Sequence, residues 1–408
     1  MTVPTSPARF DVAVVGAGPA GLAAAFLLAR TGFSTALIAP ATRPDDVRTT
    51  ALLGGSVAFF ETLGLWKEIA AAGAELAVMR LVDDTGRLIR APEATFRAAE
   101  IGHDSFGVNI VNSALTRILD AHVFGAPRLT RIEAAVESAD LGPACAALTL
   151  STGATVTARL AVAADGRKSR LREAAGISTT AWAHPQSALV LNLTHPVPHR
   201  FVSTEFHGPH GPYVLVPLPG DRSSVVLIET PDEADRLKDL PDDVLALELE
   251  RRAHSIFGRF TVEPGRQVWP LSSMIANSHG TRRVALVGEA AHTFPPIGAQ
   301  GLNLSLRDIA SLVEVLADAA RAKADIGSEE TLRAYEKSRR LDVETRTRGV
   351  DVANRALLSD LLPVQAVRSL GFALANTIGP LRRLIMREGL TPSWSTPRLM
   401  RGLDIAAV

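Results

Sequence analysis

Apolar residues in this chain follow two rhythms. Residues 11–15, Asp-Val-Ala-Val-Val, form a short apolar run that stops at a glycine turn. That is the pattern of a strand buried on both faces. Residues 21–30 are apolar and alanine-rich in a helical pattern, and residues 34–39 are apolar again. A strand–helix–strand unit therefore opens the chain. Residues 148–165 predict a hairpin turning at Thr152-Gly153, whose second strand runs into Ala163-Ala164-Asp165-Gly166. Between 189 and 230, short runs of Val, Leu and Phe alternate with Gly and Pro turns, which predicts antiparallel sheet. The acid-rich stretch 232–243 predicts a solvated segment, and 240–257 a helix. A strand at 283–287 ends at Gly288. Long helices are predicted from about 302 to 320 and from about 329 to 348. The tail beyond them is helical in pattern, with breaks expected at Pro363 and Pro380.

Composition narrows the classes. The chain has 408 residues, which at roughly 150 residues per domain predicts two or three domains. Its 43 basic residues balance 43 acidic ones, which argues against a general nucleic-acid binder. A single cysteine, Cys145, rules out an internal disulfide, argues against a cysteine-based zinc site and points to a reducing compartment. No metal is expected. Residues 1–10 lack the apolar centre of a signal peptide. No stretch reaches about 18 apolar residues without a charge. The nearest, 361–381, contains Arg368, Asn376, two glycines and two prolines. A cytoplasmic protein, soluble or attached peripherally at the inner face of a membrane, is the expectation.

Three stretches carry chemistry. In Gly16-Ala17-Gly18-Pro19-Ala20-Gly21 the glycines suit a tight turn, a close backbone approach to pyrophosphate and close helix–strand packing, in that order. The helix that follows offers unpaired N–H groups and a partial positive charge to phosphates. A fingerprint of this kind expects an acid about 20 residues on, to bind ribose hydroxyls. Ile38, Ala39, Pro40 and Ala41 stand there instead, with Asp45 and Asp46 a little later. The second stretch, Ala164-Asp165-Gly166-Arg167-Lys168-Ser169, reads equally well as a ligand-binding strand end or as a strand-to-helix turn with Ser169 as N-cap. The third runs from Gly288-Glu289 through His292 and Pro295-Pro296 to Gly298-Ala299-Gln300-Gly301-Leu302-Asn303. Glu289 suits sugar hydroxyls, the two prolines stiffen the loop, and Gly298 and Gly301 let backbone approach a flat ligand edge at a helix N-terminus. Such a terminus stabilises negative charge. His292 by itself reads more readily as a packed or capping histidine.

Together these stretches resemble the flavoprotein aromatic hydroxylases, the single-component FAD monooxygenases of the para-hydroxybenzoate hydroxylase type. The glycine fingerprint, the Asp-Gly motif and the Gly-Asp motif, here Gly288-Glu289, fall in that family's order and spacing. The run Arg48-Thr49-Thr50-Ala51-Leu52, residues 296–308 and residues 350–390 look like the ubiquinone-biosynthesis hydroxylases, especially their alphaproteobacterial members. The resemblance covers nearly the whole chain and is weakest across 180–270. It implies an α/β fold: a discontinuous Rossmann-like FAD domain (1–75, 100–180, 275–350), an inserted antiparallel β-sheet substrate domain (76–99, 181–274) and a helical C-terminal segment (351–408). It also implies a reaction. NAD(P)H, bound transiently, reduces FAD; O2 adds at flavin C4a; the hydroperoxide passes one oxygen to a phenol ring. By position, Pro296 matches the loop proline beside flavin and substrate, Arg48 a basic residue near the FAD phosphates, and Asp165 the acid of the Asp-Gly motif.

Three functional readings remain at this point. One is a ring hydroxylase acting on a polyprenylated phenol or quinone precursor in ubiquinone biosynthesis. Another is an FAD hydroxylase of a different aromatic compound. The last, which the missing ribose acid favours, is a non-catalytic flavoprotein scaffold of a biosynthetic complex. The tail 361–390, apolar with Arg368, Arg382, Arg383 and Arg387 against one acid, Glu388, reads either as a membrane-surface segment or as helices packed on the protein.

Overall fold

The computed structural model describes residues 8–41, 46–87, 90–296, 300–358, 379–390 and 396–405. Five parallel strands form the centre of the first sheet, in the order Val284–Leu286, Thr155–Ala163, Ala8–Val15, Thr35–Ala39, Leu129–Glu133. Their apolar runs are continuous because both faces are covered. Val12, Val14, Leu37 and Leu160 pack on one side with Leu22, Leu306, Ile309 and Tyr335. Ala13, Val15, Ile38 and Ala163 pack on the other with Leu148, Leu171 and Leu286. Ala146–Leu150 pairs antiparallel with the start of Thr155–Ala163, and the Gly153 N–H donates to the Leu150 carbonyl at 2.8 Å to close the turn.

A second sheet of nine strands is inserted in this unit. Its longest member, Thr179–Thr194, pairs with both Arg222–Glu229 and Gln267–Ala276. Val78–Asp83 and Ala94–Arg97 extend the far edge. The helices Pro231–Asp239 and Asp242–Arg252 cover one face, burying Leu237, Leu245 and Leu249 against Leu189, Leu191 and Leu227. Most of the stretch expected to be a solvated segment is thus helix. Pro231 opens it, Asp232 and Glu233 lie in its first turn and Arg236 and Lys238 in its last, so its charges oppose the helix dipole at both ends.

A small third sheet joins Thr49–Leu53, Gly107–Val111 and Ala74–Glu75. It touches the inserted sheet through Thr49 Oγ1 and Ser224 Oγ, 2.9 Å apart, and through Asn109 Nδ2, which donates to the Pro217 carbonyl at 2.9 Å. The long helices Gln300–Arg321 and Glu329–Leu358 follow.

Part of the tail expected to be helical is the helix Gly379–Leu390. Pro380 is its second described residue, and residues 359–378, on which the break expected at Pro380 turns, lie outside the described residues. Met386 packs with Leu76, Ala98, Ile101 and Phe106. Arg382 pairs with Glu100 at 2.6 Å and lies 4.4 Å from the centre of the Phe96 ring. Pro363 and Arg368 lie outside the described residues. Among those residues no helix is long and apolar enough to cross a membrane.

Candidate functional site

A cleft of about 740 Å³ opens where the strands Ala8–Val15 and Thr155–Ala163 end. Gly16, Gly18, Pro19, Arg48 and Asp165 line it together, although 149 positions separate Gly16 from Asp165. The three glycines of the first stretch do different things. Gly16 has φ +112°, and a Cβ there would stand 2.2 Å from the Ala164 carbonyl oxygen. A Cβ on Gly21 would stand 1.9 Å from the Gly16 oxygen. The protein's own packing demands both. A Cβ on Gly18 would meet no protein atom within 4 Å. This middle glycine precedes the 12-residue helix Pro19–Arg30, whose N-terminus carries no side-chain cap.

In the second stretch the expected strand-to-helix turn is present. Ser169 caps the helix Arg170–Ala174 by accepting the Arg172 N–H at 3.0 Å. Asp165 Oδ2 accepts the Arg170 N–H at 2.8 Å, while its Oδ1 is buried and has no partner among the described residues.

The third stretch meets the first at Gly288, whose φ is +62° and where a Cβ would lie 3.6 Å from Ala20 Cβ. Glu289 is half-exposed and pairs with Arg167 at 3.4 Å. Pro295 is buried and Pro296 exposed. Gly298 lies outside the described residues. Gln300 opens the helix Gln300–Arg321, and a Cβ on Gly301 would meet nothing within 4 Å. Leu302 is half-buried on the same turn. Asn303 pins this helix start to the small sheet: its Oδ1 accepts the Leu53 N–H at 3.0 Å and its Nδ2 donates to the Ala51 carbonyl at 2.7 Å.

Arg48 is held by Asp46 at 2.7 Å and lies 5.2 Å from the centre of the Trp269 ring. Burial pushes the Asp46 carboxyl up, but the Arg48 hydrogen bond and charge outweigh it and hold the group below the usual carboxylate range. At the strand end where a ribose acid was expected, Ile38, Ala39, Pro40 and Ala41 line the cleft. The two acids lining the cleft besides Asp165 are both engaged: Asp46 by Arg48, Asp120 by Arg131. Asp45 lies outside the described residues.

His292 faces inward. Its Nε2 lies 2.7 Å from Asp308 Oδ2, and its ring stacks on Phe294. Asp308, fully buried, also accepts the Gly288 N–H at 3.0 Å and Arg339 Nε at 2.8 Å. Arg339 continues to Asp342 at 2.9 Å, which takes Arg307 at 2.8 Å and Arg346 at 2.9 Å. Arg346 Nη1 then donates to Gln300 Oε1 at 2.6 Å. Burial alone would push the Asp308 carboxyl up; the charges of His292 and Arg339 hold it far below the usual range. Beside this chain sits His279, buried and edge-on to Tyr335, with Nε2 unpartnered among the described residues. Burial lowers its pKa to about 4. Sequence reasoning missed Asp308, Arg339, Asp342 and Arg346. A signal existed: Arg307-Asp308 interrupts an apolar helix, and Arg339, Asp342 and Arg346 recur at three and four residues, on one helix face.

The family model described as "FAD binding domain" matches residues 9–349. The ubiquinone hydroxylase UbiL of Rhodospirillum rubrum is 34% identical over 407 residues, covering 97% of this chain and 93% of that protein. The 3-demethoxyubiquinol 3-hydroxylase of Escherichia coli is 28% identical over 391 residues, covering 93% of this chain and 98% of that protein. The crystal structure of p-nitrophenol 4-monooxygenase PnpA from Pseudomonas putida superposes with a TM-score of 0.76 at 20% identity, over 94% of this chain and 98% of that one, a likeness of fold.

Proposed function

Because the chain belongs to the FAD-binding flavoprotein hydroxylase family of ubiquinone biosynthesis, we propose that it hydroxylates the ring of a polyprenylated phenol or quinone precursor. The observation that carries FAD binding is the cleft itself. It combines an uncapped helix start at Gly18, open to a ligand, with a buried Asp165 oxygen that lacks a partner. A buried acceptor left unmade costs about 1–3 kcal/mol, so a ligand hydroxyl there would be welcome. A pyrophosphate at the helix start supplies the complementary charge.

When bound and reduced, FAD supplies the activation of O2 for insertion of one oxygen atom. The chain's own residues bind and orient. Gly16, Gly18, Pro19, Ala20 and Gly21 form the phosphate turn. Arg48, held by Asp46, adds a cation to the same cleft. Asp165 with Gly166, and Gly288 with Glu289, provide acceptors for sugar and ribityl hydroxyls. The helix start from Gln300 to Asn303 offers N–H groups to the flavin edge that becomes anionic on reduction. Pro296 belongs beside the ring and the substrate, where it excludes water. NAD(P)H serves as a transient reductant. Residues 1–75, 100–180 and 275–350 form the cofactor domain in this reading, and 76–99 with 181–274 the substrate domain.

A lipid substrate would be reached at the cytoplasmic membrane surface. The helix Gly379–Leu390 supports this, because Leu381, Leu384, Arg383 and Arg387 are exposed on it while Arg382 and Met386 pack inward. The deciding experiment has two arms. Purified protein is expected to carry FAD and to oxidise NAD(P)H, and a deletion strain to lose ubiquinone and accumulate an under-hydroxylated precursor. Normal ubiquinone in that strain, with a flavin-loaded protein, would replace this substrate by another aromatic compound. Protein that folds without FAD would end the enzymatic reading.

A further inference from the structure

Sheet order fixes where the adenosine half of the cofactor would lie. The phosphates belong at Gly18, just past the strand Ala8–Val15, and the next strands along that edge are Thr35–Ala39 and Leu129–Glu133. Past their ends, Ala39, Pro40, Ala41, Ala134, Ala135 and Val136 line the cleft without a polar side chain. Arg170, across the cleft, is tied to the Val136 carbonyl at 3.1 Å. The helix Asn112–Val123 supplies what these strand ends lack. Its Ser113, Thr116, Arg117 and Asp120 all line the cleft, at spacings of three and four residues that put them on one face. Leu115, Leu119 and Val123 are buried in the core behind them. Asp120 is engaged by Arg131. Ser113, Thr116 and Arg117 make no side-chain hydrogen bond or ion pair among the described residues, and Arg117 is exposed.

The helix also stands at the right height. Arg131, which holds Asp120, pairs in register with Leu37. The first turn of the helix lies in the cleft, so the helix runs away from the sheet edge that the strands run towards. From Asp120 to Arg117 and Thr116 the rise is about 4.5–6 Å, and from Leu37 to Ala39 it is about 6.6 Å. Thr116 and Arg117 therefore stand level with Ala39, in the region where a dinucleotide fingerprint places its ribose-binding acid. We infer that this chain holds the ribose of the adenosine half through donors instead of a carboxylate, with Arg117 as the principal contact and Ser113 and Thr116 beside it. The inference deepens the FAD reading above and rests on it. A carboxylate accepts from ribose hydroxyls and repels a phosphate; a guanidinium only donates, to hydroxyl oxygens, and pairs with a phosphate. The same exchange separates dinucleotide sites that take a plain ribose from those that take a 2′-phosphate. This end of the cleft thus accepts an adenosine bearing an added phosphate, which an acid at Ala39 would exclude.

Titration of the full chain, stripped of flavin, tests this. The probes are FAD, flavin mononucleotide, 5′-AMP and adenosine 2′,5′-bisphosphate, each at one fixed salt concentration, against wild type and Arg117→Met. Arg117 is exposed and unpartnered among the described residues, so its replacement is expected to leave the thermal midpoint of the stripped protein unchanged. Wild type is expected to bind the bisphosphate about tenfold more tightly than 5′-AMP, the scale of one charge-assisted contact. Arg117→Met is expected to lose that preference and to bind FAD about tenfold more weakly, with its affinity for flavin mononucleotide, which has no adenosine, unchanged. Equal affinity of wild type for the two adenosine nucleotides overturns the inference, as does a preference that survives Arg117→Met. An equal loss of FAD and flavin mononucleotide in Arg117→Met also overturns it, because the Arg117 charge would then act on the phosphates through space. Stripped wild type that binds the adenosine nucleotides but not FAD would overturn the parent reading instead, which separates the two failures.

Discussion

Acid should destabilise this protein through one histidine before its carboxylates titrate. His279 is 2% exposed, packed edge-on against Tyr335, with a pKa lowered from 6.5 to about 4 by burial. A lowered histidine pKa means that the unfolded chain binds the proton more readily. Stability is then full above about pH 6.5 and is lost as pH falls from there towards about 4. With those two values, the loss from this group is negligible at about pH 7.5 and about 2 kcal/mol at about pH 5. Replacing His279 by Phe keeps a ring against Tyr335 and removes the titration; Gln keeps a polar group of smaller volume. Urea unfolding at about pH 7.5 and about pH 5, on protein stripped of flavin, gives the comparison. The wild type should lose about 2 kcal/mol more than either variant between those conditions, whatever the variants cost at neutral pH. Equal pH slopes in wild type and both variants would show that His279 does not titrate in this window and would refute the reasoning.

Gly18→Val should fold with a near-native thermal midpoint yet lose FAD by at least about 100-fold, since its side chain meets ligand space and not protein. Full flavin occupancy in that variant would place the pyrophosphate elsewhere. Gly21→Ala, whose Cβ would lie 1.9 Å from a carbonyl oxygen, should instead lower the yield of folded protein. Asn303→Leu breaks both ties to the strand Thr49–Leu53 and leaves Leu53 N–H and the Ala51 carbonyl unpaired, at about 1–3 kcal/mol each; a calorimetric midpoint within a degree of wild type would contradict this. For membrane docking the variant to use is Arg383→Glu with Arg387→Glu, because Arg382 is committed to Glu100. Co-sedimentation with anionic liposomes at low salt should fall severalfold in it, and a wild-type chain that ignores such liposomes would remove this role from the helix.

What the sequence made legible was local. The strand before Gly16, the turn at Gly16 and the tight approach at Gly21 are set by neighbours within a few residues, so a short window suffices to read them. Asp165 and Gly288 were found because each ends an apolar strand. The small sheet was missed for the opposite reason: Ala74–Glu75 is two residues long, and Thr49–Leu53 is only partly buried, so neither shows a clear period. Asn303 bonds to a strand 250 positions away, and Asp308 pairs with Arg339 on another helix. Such partners leave no mark in a local pattern beyond charges at positions that ought to be apolar.

The strand order has a consequence for synthesis. The central strand Ala8–Val15 gains Thr155–Ala163 as a neighbour only after about 160 residues, and Thr155–Ala163 gains Val284–Leu286 far later. Asp308 reaches full burial only when Arg339 has been made to accompany it, and Arg339 in turn requires Asp342. At roughly 5–20 residues per second, the stretch of about 120 residues between Ala163 and Leu286 takes roughly 6–25 s on the ribosome. For that interval the nascent chain displays near-continuous apolar strands with one edge open, the surface that chaperones hold and aggregates recruit. Expression of this protein should therefore respond to translation speed and to chaperone supply more strongly than its finished stability would suggest.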